Sequence, residues 1–168
     1  SALALYTGTT VFDRSRRDGV AVLRRLDALT GQEAWKVEIK AKYDKGERSG
    51  LKASPLVGRE GIGHLVLFTL NKTEEGGALI ALDKATGAQA WKLPLPAGSV
   101  SSPVAVYTAD GRARVIQADA EGRLYLIDGA SGQVLFTLEL GGPVEGSPAV
   151  YNDVLVIGTS GRNNSRMY

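Results

Sequence analysis

The chain has 168 residues, 20 Lys and Arg against 18 Asp and Glu, and a formal net charge of +2, which is too small for the sustained positive field that binds nucleic acid. It has no cysteine and one histidine, which excludes disulfides, thiolate nucleophiles, thiolate metal sites and His-rich metal clusters. Hydrophobic residues make up 43% of the sequence, but no apolar run approaches the ~20 residues that a membrane-spanning helix needs.

Along the chain, the predicted elements are short strands, and we predict no helix. "WKVEIK" (35–40) and "WKLPLP" (91–96) carry charges or prolines on alternate positions, which suits an unpaired outer edge of a sheet. "LVLFTL" (65–70) and "VLVIGTS" (154–160) lack proline, so they belong in the interior of their sheets. Proline also marks the Ser-Pro segments as the opposite edge. These are Ser54-Pro55, Ser102-Pro103 and Ser147-Pro148, 48 and 45 residues apart.

A second repeat defines the units. "LDALTGQEAW" (26–35), "LDKATGAQAW" (82–91) and "IDGASGQVLF" (127–136) share an Asp, a Gly and an aromatic residue, and their glycines are 56 and 45 residues apart. The Asp carboxylate can accept hydrogen bonds in a turn, the Gly can take a positive φ, and the aromatic lies on the returning strand. Each segment therefore predicts a β-hairpin. The repeated residues are Asp27, Gly31 and Trp35; Asp83, Gly87 and Trp91; and Asp128, Gly132 and Phe136.

These hairpins resemble the tryptophan-docking motif of the PQQ-like β-propeller repeat family, to which quinoprotein dehydrogenases and BamB-like propellers belong. The resemblance implies an all-β propeller of four-stranded antiparallel blades, with each motif aromatic packed on the neighbouring blade. We expect one propeller segment over residues 1–168, with a partial blade at 1–40, blades at 41–97 and 98–141, and a partial blade at 142–168. These three to four blades form a partial propeller or half-ring, because a ring needs roughly four to eight. The chain is then either a fragment of a longer protein or a half-ring that a partner completes.

Residues with reactive side chains are better explained by structure than by catalysis. Asp27, Asp83 and Asp128 recur once per unit, whereas a catalytic residue is needed once. Asp119 and Glu121 form an acidic pair, but a turn between strands favours the same residues. His64 has no second His or Cys to join it, and Ser54, Ser102 and Ser147 are interpreted as strand residues. We therefore expect no catalytic residue and no metal site.

Long, less repetitive loops are the candidate partner surface. The connection "KAKYDKGERSG" (40–50) exceeds its counterparts in length and should share a face with "FDRSRRDG", "NKTEEGG" and "SGRNNS". On that mildly basic face, Tyr43 is an amphipathic anchor for a protein partner, and Arg17 and Arg48 reach its carboxylates.

The expected function is a non-catalytic interaction or scaffold module of a periplasmic, secreted or cell-surface protein. Its partners are proteins, or a second copy of the chain that completes the ring, and not nucleic acid. Two alternatives stay open: part of a quinoprotein dehydrogenase, and a ligand-sensing ectodomain of a larger receptor or kinase. The resemblance implies PQQ and calcium only for a complete propeller, and no cofactor is expected in this chain.

Overall fold

The computed structural model describes residues 3–13, 18–42, 50–161 and 166–168, and strands dominate them. The all-β prediction is confirmed, with one 3₁₀ turn, Glu60–Ile62, in the described residues. In chain order, the strands are β1 (Ala4–Asp13), β2 (Asp18–Asp27), β3 (Glu33–Lys42), β4 (Leu56–Val57), β5 (Leu65–Thr73), β6 (Gly76–Asp83), β7 (Gln89–Leu95), β8 (Val104–Tyr107), β9 (Ala113–Ala118), β10 (Arg123–Asp128), β11 (Val134–Glu139), β12 (Ala149–Tyr151), β13 (Val154–Val156), β14 (Gly158–Thr159) and β15 (Arg166–Met167).

The strands form successive antiparallel blades. β1, β2 and β3 are the first blade, and β4 to β7 form the second in chain order. The third blade is the four-stranded sheet β8 to β11, and the short pairs β12–β13 and β14–β15 begin a fourth. The residue boundaries predicted for the blades stay predictions.

Proline is consistent with three of the edge strands, since Pro94 lies in β7 and Pro55 and Pro103 directly precede β4 and β8. β4 and β8 occupy one edge of their blades, and β7 and β11 occupy the other. An edge strand needs hydrogen-bond donors on one side only, so it tolerates proline. Two details differ from expectation. Ser54, Ser102 and Ser147 lie just before β4, β8 and β12 rather than within them, and the end of β3 is not free, because Ala41 pairs with Thr73 of β5.

The core lies between the blades. Leu65 and Leu67 of β5 pack with the third blade, whereas Val66, Phe68 and Leu70 pack with the first. The strand is therefore buried on both faces, which accounts for its nearly unbroken apolar run. Each such Leu or Phe stabilises the fold by about 1.5–3 kcal/mol relative to an exposed position. No helix among the described residues is long and apolar enough to cross a membrane.

Candidate functional site

The repeated Asp residues hold the hairpin turns. Asp83 Oδ1 accepts hydrogen bonds from the backbone N–H of Ala85 at 3.0 Å and from both the N–H and the hydroxyl of Thr86 at 2.8 Å. The same three contacts recur at Asp27 and at Asp128. The hydroxyl and N–H of Thr86 hold the pKa of Asp83 below its usual range. Because these hydrogen bonds favour the charged carboxylate, they also favour the turn at neutral pH.

Each tryptophan lies against the turn of the next blade. The Trp35 indole N–H donates to the Lys84 carbonyl at 3.0 Å, and the Trp91 indole N–H donates to the Gly129 carbonyl at 3.1 Å. Both tryptophans are the third residue of their strands, so the same register places both rings. We call each of these two contacts, Trp35 on the turn 83–87 and Trp91 on the turn 128–132, a seam.

Glycine is required where the ring meets the turn. A Cβ on Gly87 would lie 2.9 Å from Trp35 Cδ2, and a Cβ on Gly132 would lie 2.6 Å from Trp91 Cδ2. Both glycines have φ of +75°, which residues with a side chain rarely adopt. The turn therefore needs glycine both for its backbone and for the approach of the ring.

The third copy of the motif differs in its surroundings. Phe136 is the third residue of β11 and pairs with Leu126, as Trp91 pairs with Ala81. Its side chain is 59% exposed, against 9% for Trp35 and 8% for Trp91. Phe136 therefore occupies the strand position of the tryptophans without their burial.

The Ser-Pro serines link neighbouring blades. The Ser102 hydroxyl accepts a hydrogen bond from the N–H of Ser54 at 2.9 Å, and the Ser147 hydroxyl accepts one from the N–H of Ser102 at 2.9 Å. Sequence reasoning missed this function. The signal was present, because the serine spacings of 48 and 45 residues are the separations that these hydrogen bonds span.

A buried polar network also crosses between the second and third blades. Thr69 Oγ1 donates to Gln117 Oε1 at 2.9 Å, and Gln117 Nε2 donates to the Ser99 hydroxyl at 2.9 Å and to the Ser101 carbonyl at 3.0 Å. All four residues are fully buried. Buried polar groups with partners fix the register of one blade on the next, since any slip leaves them unsatisfied.

We expect Thr69→Val and Gln117→Leu to destabilise the chain by less together than the sum of the two single effects. Each single change leaves a buried group without its hydrogen-bond partner, at a cost of about 1–3 kcal/mol, whereas the double change removes both groups of the pair. Urea unfolding of the four proteins should give a coupling of about 1 kcal/mol. Ser101→Ala is the control, because the Ser101 hydroxyl is buried without a partner among the described residues and its loss should cost nothing. Additive effects would contradict the network.

The acidic pair Asp119 and Glu121 lies in a turn, as the sequence indicates. Asp119 is fully buried, and its Oδ1 accepts from the N–H of Glu121 and of Arg123, both at 3.0 Å. Its Oδ2 accepts from the Tyr125 hydroxyl at 2.9 Å and pairs with the Arg123 guanidinium at 3.2 Å. Burial, and then the bond to Asp119, raises the pKa of Tyr125. Both Asp119 oxygens therefore have protein partners.

Asp119→Ala should destabilise the chain by about 2–4 kcal/mol, because it leaves buried donors and a guanidinium without their acceptor. Glu121→Ala is the matched control, since its pair with Arg123 is solvent-exposed and is worth about 0–1 kcal/mol. Urea midpoints measure both effects. Equal midpoints for the two variants would contradict a structural role for Asp119.

The remaining candidate residues lie in loops. The His64 carbonyl accepts from the N–H of Lys84 at 2.8 Å, and the ammonium of Lys84 donates to the carbonyls of Gly58 and Gly63 at 2.7 Å. Burial lowers the pKa of Lys84. This lysine ties the "GREGIG" loop (58–63) to the hairpin turn of the same blade. The predicted partner residues Arg17, Tyr43 and Arg48 lie outside the described residues.

A cleft of about 260 Å³ opens between the first and second blades. Charged side chains line it, and the ion pair of Lys92 with Glu75 at 2.5 Å lies at its wall. The lining residues are Glu38, Ile39, Lys40, Leu70, Thr73, Glu74, Glu75, Ile80, Gln89 and Lys92. Glu74 and Glu75 belong to the loop "NKTEEGG" (71–77), one of the loops assigned to the candidate partner face.

Comparison with known proteins gives a consistent result. The family profile described as outer membrane protein assembly factor BamB matches residues 18–112 and 105–167. BamB from Moraxella catarrhalis superposes with a TM-score of 0.59 at 22% identity, over 97% of this chain and 48% of that chain. No protein with a curated description matches the sequence. The chain thus spans about half the length of the solved BamB.

Two enzymes of similar fold match a smaller share of this chain, and of their own length, than BamB does. A europium-containing methanol dehydrogenase superposes with a TM-score of 0.50 at 13% identity, over 85% of this chain and 27% of that chain. The quinohemoprotein alcohol dehydrogenase from Comamonas testosteroni does so with a TM-score of 0.50 at 14% identity, over 77% and 28%. At these identities the likeness concerns the fold alone, and it confirms the predicted propeller architecture.

Proposed function

Because the chain belongs to the PQQ-like repeat family described as outer membrane protein assembly factor BamB, we propose that it is a non-catalytic propeller module that binds other proteins in an exported or cell-surface assembly. The observation that carries this proposal is the similarity to BamB over 97% of the chain. The description of BamB names an assembly factor rather than an enzyme. A periplasmic, secreted or cell-surface location follows as part of the same proposal.

The contacts of the polar residues support an interaction module. The Asp carboxylates hold turns, Asp119 holds its own loop, and the Ser102 and Ser147 hydroxyls link blades. These groups stabilise a rigid frame, and loops on a rigid frame are the usual place for binding residues. We therefore propose that partner contact is made by the predicted loop face that includes Arg17, Tyr43 and Arg48.

Site-specific photo-crosslinking tests this surface. A benzophenone amino acid replaces Tyr43 in one variant and Tyr151 in the other, and each protein is irradiated with a solubilised outer-membrane fraction. Tyr151 is the matched control, because it is 80% exposed and lies in β12, outside the loop face. Mass spectrometry should find components of outer membrane protein assembly crosslinked at position 43 and not at 151. Identical adducts at both positions would refute the proposed surface.

A charge-reversal pair sharpens the test. Arg17→Glu with Arg48→Glu should abolish the crosslinks at position 43, since a mildly basic face would then repel acidic partners. Arg59→Glu with Arg112→Glu is the control, because it makes the same change of charge at exposed positions outside the loop face. If both pairs reduce crosslinking equally, general charge rather than this surface governs the binding.

The similarity to the two dehydrogenases gives a second candidate function, in which the chain is part of a quinone-dependent enzyme. Family members of that kind use PQQ with calcium, and a calcium site needs about six to eight oxygen ligands. Residues 3–13, 18–42, 50–161 and 166–168 contain no group of three or more His, Cys, Asp or Glu side chains placed to hold a metal ion, so the described residues do not fit that cofactor. PQQ with Ca²⁺ should leave the melting temperature of this chain unchanged, and an increase would favour the enzyme.

A further inference from the structure

A second cleft, of about 280 Å³, opens between the inner strands of the second and third blades. Every strand of these two blades is described, so both walls of the cleft belong to four-stranded blades. The apolar residues that line it are Leu56 and Val57 on one wall and Pro103, Val104 and Ala105 on the other, and Val57 is 45% exposed. The volume is at the low end for ligand pockets, so an occupant has to be small.

Two polar side chains, Arg59 and Tyr107, also line this cleft. The Tyr107 hydroxyl accepts the backbone N–H of Arg59 at 2.9 Å and donates to no group of the described residues, which leaves its proton for a ligand. The Arg59 guanidinium has no hydrogen bond or ion pair within the described part of the chain. The adjacent carboxylate of Glu60 lies instead beside Gly111, with Oε2 3.6 Å from a Cβ built on that glycine. The cleft thus combines an unpaired cation and a hydroxyl donor with an apolar surface.

The loop that carries the guanidinium, residues 58–63, is held on two sides. The ammonium of Lys84 donates to the carbonyls of the first and last residues of the loop, at 2.7 Å each. The N–H of Gly61 donates to the Gly111 carbonyl of the third blade at 3.1 Å. Glu60 takes a φ of +43°, a conformation that a residue with a side chain keeps only where the surrounding structure holds it. The cation is therefore carried by a fixed loop, which lowers the entropy lost when a ligand binds.

The polar residues of this cleft do not recur with the repeat. The fourth residue after the proline of each Ser-Pro segment is Arg59, Tyr107 or Asn152, a different side chain in each unit. The connection 58–64 between β4 and β5 is also longer than the connection 108–112 between β8 and β9. A requirement of the scaffold repeats from blade to blade, as the Asp turns do. A group that occurs once, unpaired and on a fixed loop, instead fits a requirement of binding.

We propose that this cleft binds a small carboxylate whose body is a branched apolar group. The Arg59 guanidinium pairs with the carboxylate, the Tyr107 hydroxyl donates to the same group, and the apolar body packs on Val57. The carboxylate belongs either to a free small molecule or to the end of a polypeptide. This site goes beyond the proposed function and does not depend on it. The connection 58–64 enters β5 and the loop 71–77 leaves it, so the cleft and the predicted partner face lie at opposite ends of that strand.

Methyl NMR of a chain labelled at Leu and Val tests the site, with 4-methylpentanoate and 4-methylpentanamide as probes. The acid should shift the methyl resonances of Leu56, Val57 and Val104 with a Kd on the order of 1 mM, as expected for so small a ligand. The amide has the same shape without the charge, so it should bind at least about tenfold more weakly. N-acetylglycyl-leucine and its amide form the second pair of probes. The acid that binds more tightly identifies the source, a free carboxylate or the end of a polypeptide.

Arg59→Gln should weaken binding of the acid at least about tenfold and leave the weak binding of the amide unchanged. Arg112→Gln is the matched control, because Arg112 is exposed, pairs with Asp110 and does not line this cleft, so it should bind the acid as the wild type does. Equal binding of acid and amide would overturn the proposal, and so would an unchanged affinity in Arg59→Gln or unshifted methyl resonances at about 20 mM of either acid, well above the expected Kd. Arg59→Gln should leave the crosslinks at position 43 intact, so this site and the proposed function can fail separately.

Discussion

Trp91→Ala is expected to lower the free energy of unfolding by about 3–5 kcal/mol, the range for an aromatic side chain removed from a core. The ring is only 8% exposed and packs in the cluster shared by the second and third blades. Its loss also leaves the buried Gly129 carbonyl without its donor. Chemical unfolding monitored by far-ultraviolet circular dichroism measures the effect.

Phe136→Ala is the matched control for Trp91→Ala, because Phe136 has the same place in the third repeat and is mostly exposed. It should change the unfolding free energy by less than about 1 kcal/mol, as exposed substitutions do. If the two substitutions cost the same, burial of Trp91 between the blades is not what stabilises the chain.

Gly132→Ala should destabilise the chain by about 2–4 kcal/mol. The positive φ of +75° alone costs about 1–2 kcal/mol for a residue with a Cβ. The added Cβ would also lie 2.6 Å from Trp91 Cδ2, and crowding of a packed site costs typically 1–3 kcal/mol more. Differential scanning calorimetry or urea unfolding resolves an effect of this size.

Gly31→Ala isolates the contact with the ring. Gly31 has nearly the same φ, +71°, but a Cβ added there would meet no atom within 4 Å, so the substitution should cost only the backbone term of about 1–2 kcal/mol. The difference between the two variants is the contribution of the seam. Equal costs would show that the glycines serve the turn alone.

The fold was predictable because its requirements recur along the chain. Asp83 supplies a carboxylate to the turn, Gly87 takes a positive φ, and Trp91 supplies an apolar ring. Equivalent residues recur at the spacing of the blades. Antiparallel blades then follow from short strands joined by such turns. The edge positions were predicted from charges on alternate positions and from proline, which cannot donate a hydrogen bond to a neighbouring strand.

Contacts between blades were less predictable, because they join residues far apart in the sequence. Nothing local to Gln117 shows that its amide meets Thr69 in another blade at 48 residues' distance. Asp119 resembled an exposed turn residue, yet it is buried by its own partners. The serines were the avoidable omission, since their regular spacing already suggested a contact that recurs from blade to blade.

The residues of the predicted partner surface do not recur from blade to blade, so the repeat gave no information about them. Arg17, Tyr43 and Arg48 belong to loops that differ from one unit to the next. A scaffold requirement repeats with the blades, but a binding requirement needs to be met once. Their function therefore stays a prediction for the crosslinking and charge-reversal experiments.

The most direct test of the seams is an NMR spectrum of the glycine and indole resonances of the chain. Ring currents from Trp35 and Trp91 should shift the α protons of Gly87 and Gly132 upfield, and both indole N–H groups should exchange slowly, because each is bonded to a carbonyl of the next blade. Random-coil shifts at Gly87 and Gly132, with rapidly exchanging indole protons, would contradict the proposal that tryptophan and glycine join the blades.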